Sequence, residues 1–192
     1  MRKIAEHGNW GDNLGNAFDR YLDNDINGTL IRYLYMAEIG YSVAMRNSAY
    51  LLDKGASFHS NRTESPYETQ KRALRYYLMA FNESTKVERV TDIGNIIGDY
   101  YYYGKGTEVN MGNALEYYQK VAFTRDTHGI YNLAYMIENG YGMEKNVTLA
   151  WEWYRMIWRV SGPFGGKIAA GMAMIKLLIE MMFPWISSLY FS

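Results

Sequence analysis

Few side chains in this sequence are of a type and spacing that could do chemistry. The three histidines, His7, His59 and His128, are scattered, and no pair has the three- to five-residue spacing that brings two imidazoles to one metal ion. The chain has no cysteine, which removes disulfides, thiolate nucleophiles, iron–sulfur clusters and cysteine-ligated zinc. No metal or cofactor site is expected. His128 has no acid or nucleophile beside it in sequence, so no catalytic set assembles, and an enzyme is not expected either. Gly104-Lys105-Gly106-Thr107 hints at a phosphate loop but lacks the Gly-x-x-x-x-Gly-Lys-Ser/Thr frame. Tyr100 to Tyr103 would stack bases or sugars if exposed. At helical spacing, however, two or three of the four must face neighbouring helices, so packing is the better reading. Trp151, Trp153 and Trp158 read either as a hot spot for a protein partner or as packing for the C-terminal segment.

The elements that position these residues are helical. Only Pro66, Pro163 and Pro184 interrupt the 192 residues, 48% of which are hydrophobic, enough for a core. The 20 basic and 20 acidic side chains cancel, so no sequence-wide field exists to draw the chain to phosphate backbones, and no nucleic-acid partner is expected. The N-terminus, Met1 to Gly8, lacks the apolar run of a signal peptide, and no segment approaches 18 uncharged apolar residues. The expectation is a soluble chain, or a piece of a longer protein whose signal and anchor lie elsewhere.

Internal repetition is the strongest signal. Gly104 and Gly140, Gly106 and Gly142, Ala114 and Ala150, and Tyr118 and Tyr154 are each 36 residues apart. A looser copy runs from Ala44 to Gly55, with Ala73 to Ala80 as its second half. Each unit reads as two antiparallel helices: the first ends at a glycine in the left-handed region, and a small residue in the second (Ala73, Ala114, Ala150) lets the backbones approach. One such pair cannot bury its apolar face, but stacked pairs can, which predicts an all-α protein, an α-solenoid. The expected division is a divergent first helix pair over 1–40, three repeats over about 41–81, 90–123 and 127–159, and a C-terminal amphipathic or capping segment over 161–192. In that segment Ile168, Met172, Ile175, Ile179 and Phe183 share a helical face, with Lys176 and Glu180 spaced as an ion pair.

The motif Gly-Asp-Tyr-x-x-Tyr-Gly-x-Gly-Thr over 98–107, followed by Ala114-x-x-Tyr117-Tyr118 at a 36-residue period, resembles the Sel-1-like, tetratricopeptide-related repeat family. Glu6 to Trp10, Tyr33 to Ala44 and Asn47 to Asp53 are similar to the C-terminal repeats of that family's lumenal adaptors in the endoplasmic-reticulum ubiquitin-ligase complex. The similarity runs from about Glu6 to Arg159. The resemblance implies a scaffold that holds a membrane RING-type ubiquitin ligase, receives misfolded glycoproteins with the help of ER lectins, and passes them on for degradation. It implies residence in the ER lumen or at its membrane, with membrane contact through the C-terminal helix as one use of that segment. The absent signal peptide, the small number of repeats and the missing final membrane helix lead to the expectation of a fragment.

Four sequons, at Asn27, Asn61, Asn82 and Asn146, exceed the roughly 1.4 that chance supplies, which favours a glycoprotein. Candidate partner contacts in the first helix of each pair are Arg46, Asp99, Tyr100 and Tyr135, joined by the three tryptophans above. The rival readings are a cytosolic Sel-1-like signalling or effector scaffold, and a repeat-fold hydrolase, against which the missing cysteines count.

Overall fold

Nine helices and no strand make up the described residues of the computed structural model, which are 10–56, 65–83, 87–162 and 166–183. They are α1 (Trp10–Leu22), α2 (Ile26–Glu38), α3 (Ser42–Asp53), α4 (Pro66–Glu83), α5 (Val87–Tyr103), α6 (Met111–Ala122), α7 (Thr127–Asn139), α8 (Val147–Val160) and α9 (Lys167–Met182).

Several starts follow directly from the sequence. Asp25 and Asp126 precede α2 and α7, and their Oδ1 atoms accept the amides of Gly28 at 2.9 Å and Gly129 at 2.8 Å. Asn110 and Asn146, one repeat apart, do the same for α6 and α8, accepting from Asn113 and Leu149 at 2.9 Å each. Each cap satisfies an amide that has no partner inside its helix, a contribution of about 1 kcal/mol. The ends are equally regular. Gly104 after α5 and Gly140 after α7 have φ of 69° and 74°, and the amides of Lys105 and Tyr141 turn back onto the carbonyls of Tyr100 and Met136 at 2.9 Å.

Residues 1–109 and 110–192 form two compact units. In the first, α1 to α5 each pack on the next around Leu30, Met36, Leu52, Ile93, Ile97 and Tyr100, all fully buried. In the second, α6 to α9 pack in the same neighbour-to-neighbour way around Val121, Ile130, Met136, Tyr154, Ile157 and Leu177. Each such side chain removed from water contributes about 2 kcal/mol. Ala73, Ala114 and Ala150 are completely buried, and Tyr77, Tyr118 and Tyr154, four residues on, are buried beside them. This is the pairing of a small and a large residue one turn apart on an inward face.

On the C-terminal helix the apolar face read in the sequence lies on the exposed side. The stripe of Ile168, Met172, Ile175, Ile179 and Phe183 is exposed, Ile168 to 75%, while Ala170 and Leu177 are buried. The small side of α9 is the one that approaches α8. At Gly171 an added Cβ would lie 3.4 Å from the Trp158 ring, so a bulkier face would hold the helices apart. The Lys176–Glu180 pair forms at 3.8 Å, but Lys176 makes its shorter bond to another carboxylate.

Candidate functional site

That carboxylate is Glu138, on α7 two residues before Gly140, and only 2% exposed. A buried carboxylate costs several kcal/mol unless it is paired and hydrogen-bonded. Glu138 meets both conditions. The Tyr154 hydroxyl donates to Oε2 at 2.8 Å and the Lys176 ammonium to Oε1 at 2.6 Å, so α7, α8 and α9 converge on one side chain. Above it opens a groove of about 720 Å³, walled by Tyr131, Tyr135 and Tyr154 on one side and by Ile168, Met172 and Lys176 on the other. The Tyr131 and Tyr154 rings lie 5.5 Å apart. Lys176 is held more basic than an ordinary lysine, first by its bond to Glu138, then by the charges of Glu138 and Glu180, against partial burial.

The same bond recurs in the first unit. Glu38, two residues before Gly40, accepts from the Tyr76 hydroxyl at 2.8 Å, and Asp53, two residues before Gly55, accepts from Tyr100 at 2.5 Å. Three helices thus carry a carboxylate two positions ahead of a left-handed glycine, each holding a tyrosine from another helix. In α5 that position is Tyr102. None of the three acids was selected from the sequence, although their common offset from the glycines was visible there.

These bonds raise the phenols. Burial first, then the hydrogen bond and the negative charge of the acceptor, push Tyr76 up to about 12 and raise Tyr100 and Tyr154 well above the usual tyrosine range. Tyr77 is raised as well, by burial and the charge of Asp53. The unfolded chain ionises these groups near 10 while the folded chain keeps them protonated. Their contribution is therefore fully present below about pH 10 and is lost as pH rises above it. Urea midpoints should hold steady from pH 7 to about 9.5 and fall beyond it, and Tyr154→Phe should flatten that fall.

The candidate contact residues separate by exposure. Arg46 is exposed on α3, and Asp99 is half-buried on α5. Tyr100 is 1% exposed, with its ring 5.8 Å from Tyr77 and its hydroxyl on Asp53, so it belongs to the core and offers no surface to a partner. Tyr135 is half-exposed at the rim of the Glu138 groove, which alone places it beside the polar cluster. Trp151 and Trp153 are half-buried, Trp153 edge-on to Phe123 at 6.1 Å. Trp158 is 50% exposed, with the Lys167 ammonium 5.9 Å from its ring. His7, His59 and Asn61 lie outside the described residues.

Of the other sequon asparagines, Asn27 is exposed in the first turn of α2, Asn82 is exposed near the end of α4, and Asn146 is exposed as the cap of α8. Asn110 holds the same capping position without a sequon, since Met111 and Gly112 follow it. Capping uses Oδ1 whereas a glycan attaches through Nδ2, so the two roles are compatible. Asn146→Asp should keep the cap and abolish any glycan there, while Asn146→Ala should also cost about 1 kcal/mol in chemical denaturation.

Helix pairs joined by glycine turns, with a 36-residue register of caps, alanines and tyrosines, define an α-solenoid repeat protein. Residues 95–122 and 127–156 match the family model of the Sel1 repeat. The chain is 34% identical over 155 residues to protein sel-1 homolog 2 of Homo sapiens, covering 80% of this chain and 21% of that protein. It is 34% identical over 150 residues to the ERAD-associated E3 ubiquitin-protein ligase component HRD3A of Arabidopsis thaliana, covering 78% of this chain and 22% of that one. The fold matches the crystal structure of a protective antigen of uropathogenic Escherichia coli with an SLR fold, at a TM-score of 0.61 and 21% identity, over 82% of this chain and 32% of that one. The chain carries Sel1 repeats, and it spans about a fifth of the length of the curated relatives it matches. Among the described residues no helix is long and apolar enough to cross a membrane.

Proposed function

We propose that this chain is a non-enzymatic adaptor in ER-associated protein degradation, holding a membrane RING-type ubiquitin ligase and presenting misfolded glycoproteins to it. The observation that carries this reading is the 34% identity to a plant ERAD ligase component across most of the chain's helices. The mechanism is positioning. Carboxylate–tyrosine bonds hold helices in fixed register, and the aromatic side chains left on the surface, such as Tyr135 and Trp158, provide the large apolar contacts on which protein interfaces depend. Glycans at Asn27, Asn61, Asn82 and Asn146 and a place in the ER lumen or at its membrane belong to the same reading. So do lectin partners and membrane contact through the C-terminal helix.

The test is to purify the endogenous protein from detergent-solubilised membranes and identify its companions by mass spectrometry. A membrane RING-type ligase and an ER lectin are expected, together with a mobility shift on deglycosylation. Recovery of an unglycosylated protein with cytosolic companions alone would replace this reading with that of a cytosolic Sel1-repeat scaffold.

A further inference from the structure

α9 buries little of its apolar surface. Its large apolar side chains are mostly exposed, with Ala170 and Leu177 the residues it buries fully, and its short polar bond is the one from Lys176 to Glu138. The two ends of that bond are unequal. Glu138 is buried, while the Lys176 side chain is 55% exposed and lies at the open side of the groove. If Lys176 leaves, it is solvated at little cost, whereas Glu138 stays buried with the Tyr154 hydroxyl alone. The site itself therefore requires a cation.

The geometry also selects which cation. Oε2 is taken by Tyr154, so one carboxylate oxygen faces the groove. A guanidinium would lose the two-bond fork that is its advantage on a carboxylate, while a compact ammonium needs only one oxygen. The rings of Tyr131, Tyr135 and Tyr154 line the approach and suit a cation on an apolar stem. The residues of α9 beside Lys176 in the groove, Ile168, Met172 and Ala173, show the context the site accepts: a lysine on a helix with apolar neighbours.

We infer that Glu138, which lines this groove, is a receptor for the lysine of an amphipathic helix, met here by Lys176 of the chain's own α9, and that a basic helix on a partner protein binds by setting its lysine in the place of Lys176. The charge of Glu138 and the helix already seated there define this occupant. The inference does not depend on the cellular role proposed above.

The probe is a fluorescent synthetic peptide of residues 166–183, and the receptor is the full chain carrying Lys176→Met, which keeps the apolar stem and removes the ammonium. This variant should bind the peptide about tenfold or more tightly than the unsubstituted chain does. A peptide with methionine at the lysine position, or a receptor that also carries Glu138→Gln, should lose that gain. Equal binding of both peptides, or binding of neither, overturns the inference. If circular dichroism shows the variant unfolded, the measurement moves to the unsubstituted chain. There, saturating lysine peptide should speed hydrogen exchange across residues 167–182, and unchanged exchange overturns the proposal. A concentration-dependent dimer of the unsubstituted chain that the lysine peptide dissolves would make a second copy the natural occupant and overturn the assignment to a separate partner.

Discussion

Glu138→Ala is expected to destabilise the 110–192 unit by about 3 kcal/mol, and Glu38→Ala to destabilise the chain by about 1 kcal/mol or less. Both carboxylates accept a tyrosine hydroxyl at 2.8 Å, and both have a basic side chain nearby, Lys176 and Arg75 respectively. What differs is water. The Glu38 side chain is 51% exposed, so removing it lets solvent reach Tyr76 and Arg75. Removing Glu138 leaves the hydroxyl of fully buried Tyr154 with no acceptor and takes from α9 its short polar bond. Glu138→Gln, which can still accept from Tyr154, should cost about half as much as the alanine change. Trp151, Trp153 and Trp158 on α8 report unfolding of this unit by fluorescence in a urea titration. Equal losses for Glu38→Ala and Glu138→Ala would mean that burial does not set the strength of these bonds.

The contrast between the two glutamates also marks where sequence reasoning reached and where it stopped. Helix turns were legible because their cause is local. A left-handed residue after α5 and after α7 calls for glycine, and Gly104 and Gly140 stand in register with Gly106 and Gly142. Alanine and tyrosine spaced by four marked the inward face of each second helix for a similar reason. The acids ahead of the glycines were not selected, because a glutamate in the last turn of a helix reads as solvated until a tyrosine from a different helix is known to cover it. The large apolar residues of α9 do share one face, but periodicity does not say whether that face points inward, and the approach to α8 at Trp158 and Gly171 favours the small side. For Tyr100 the sequence leaves packing and partner contact both open. Its partner is Asp53, 47 positions earlier, and no local pattern reveals that bond.

Gly142→Ala is expected to cost about 3 kcal/mol or more, from two sources that a comparison with Gly55→Ala separates. Both glycines have left-handed backbones, with φ of 77° and 85°, and for an alanine that conformation alone costs about 1 to 2 kcal/mol. Around Gly55 there is open space, so the conformational cost is the whole of the expected effect. A Cβ at Gly142 would instead run into the carbonyl of Met111 at the start of α6, a backbone group that cannot turn aside as a side chain would. Gly106, one repeat earlier, meets the backbone of Gln70 and Lys71 in α4 in the same way. In these two repeats the loop therefore rests directly on the second helix of the pair before it, and the missing side chain sets the distance. Urea denaturation of the two variants should separate them by more than about 1 kcal/mol. Similar losses would assign the repeated spacing of the second glycine to backbone conformation alone. A larger loss at Gly142 identifies that glycine as the contact that fixes how successive helix pairs stack.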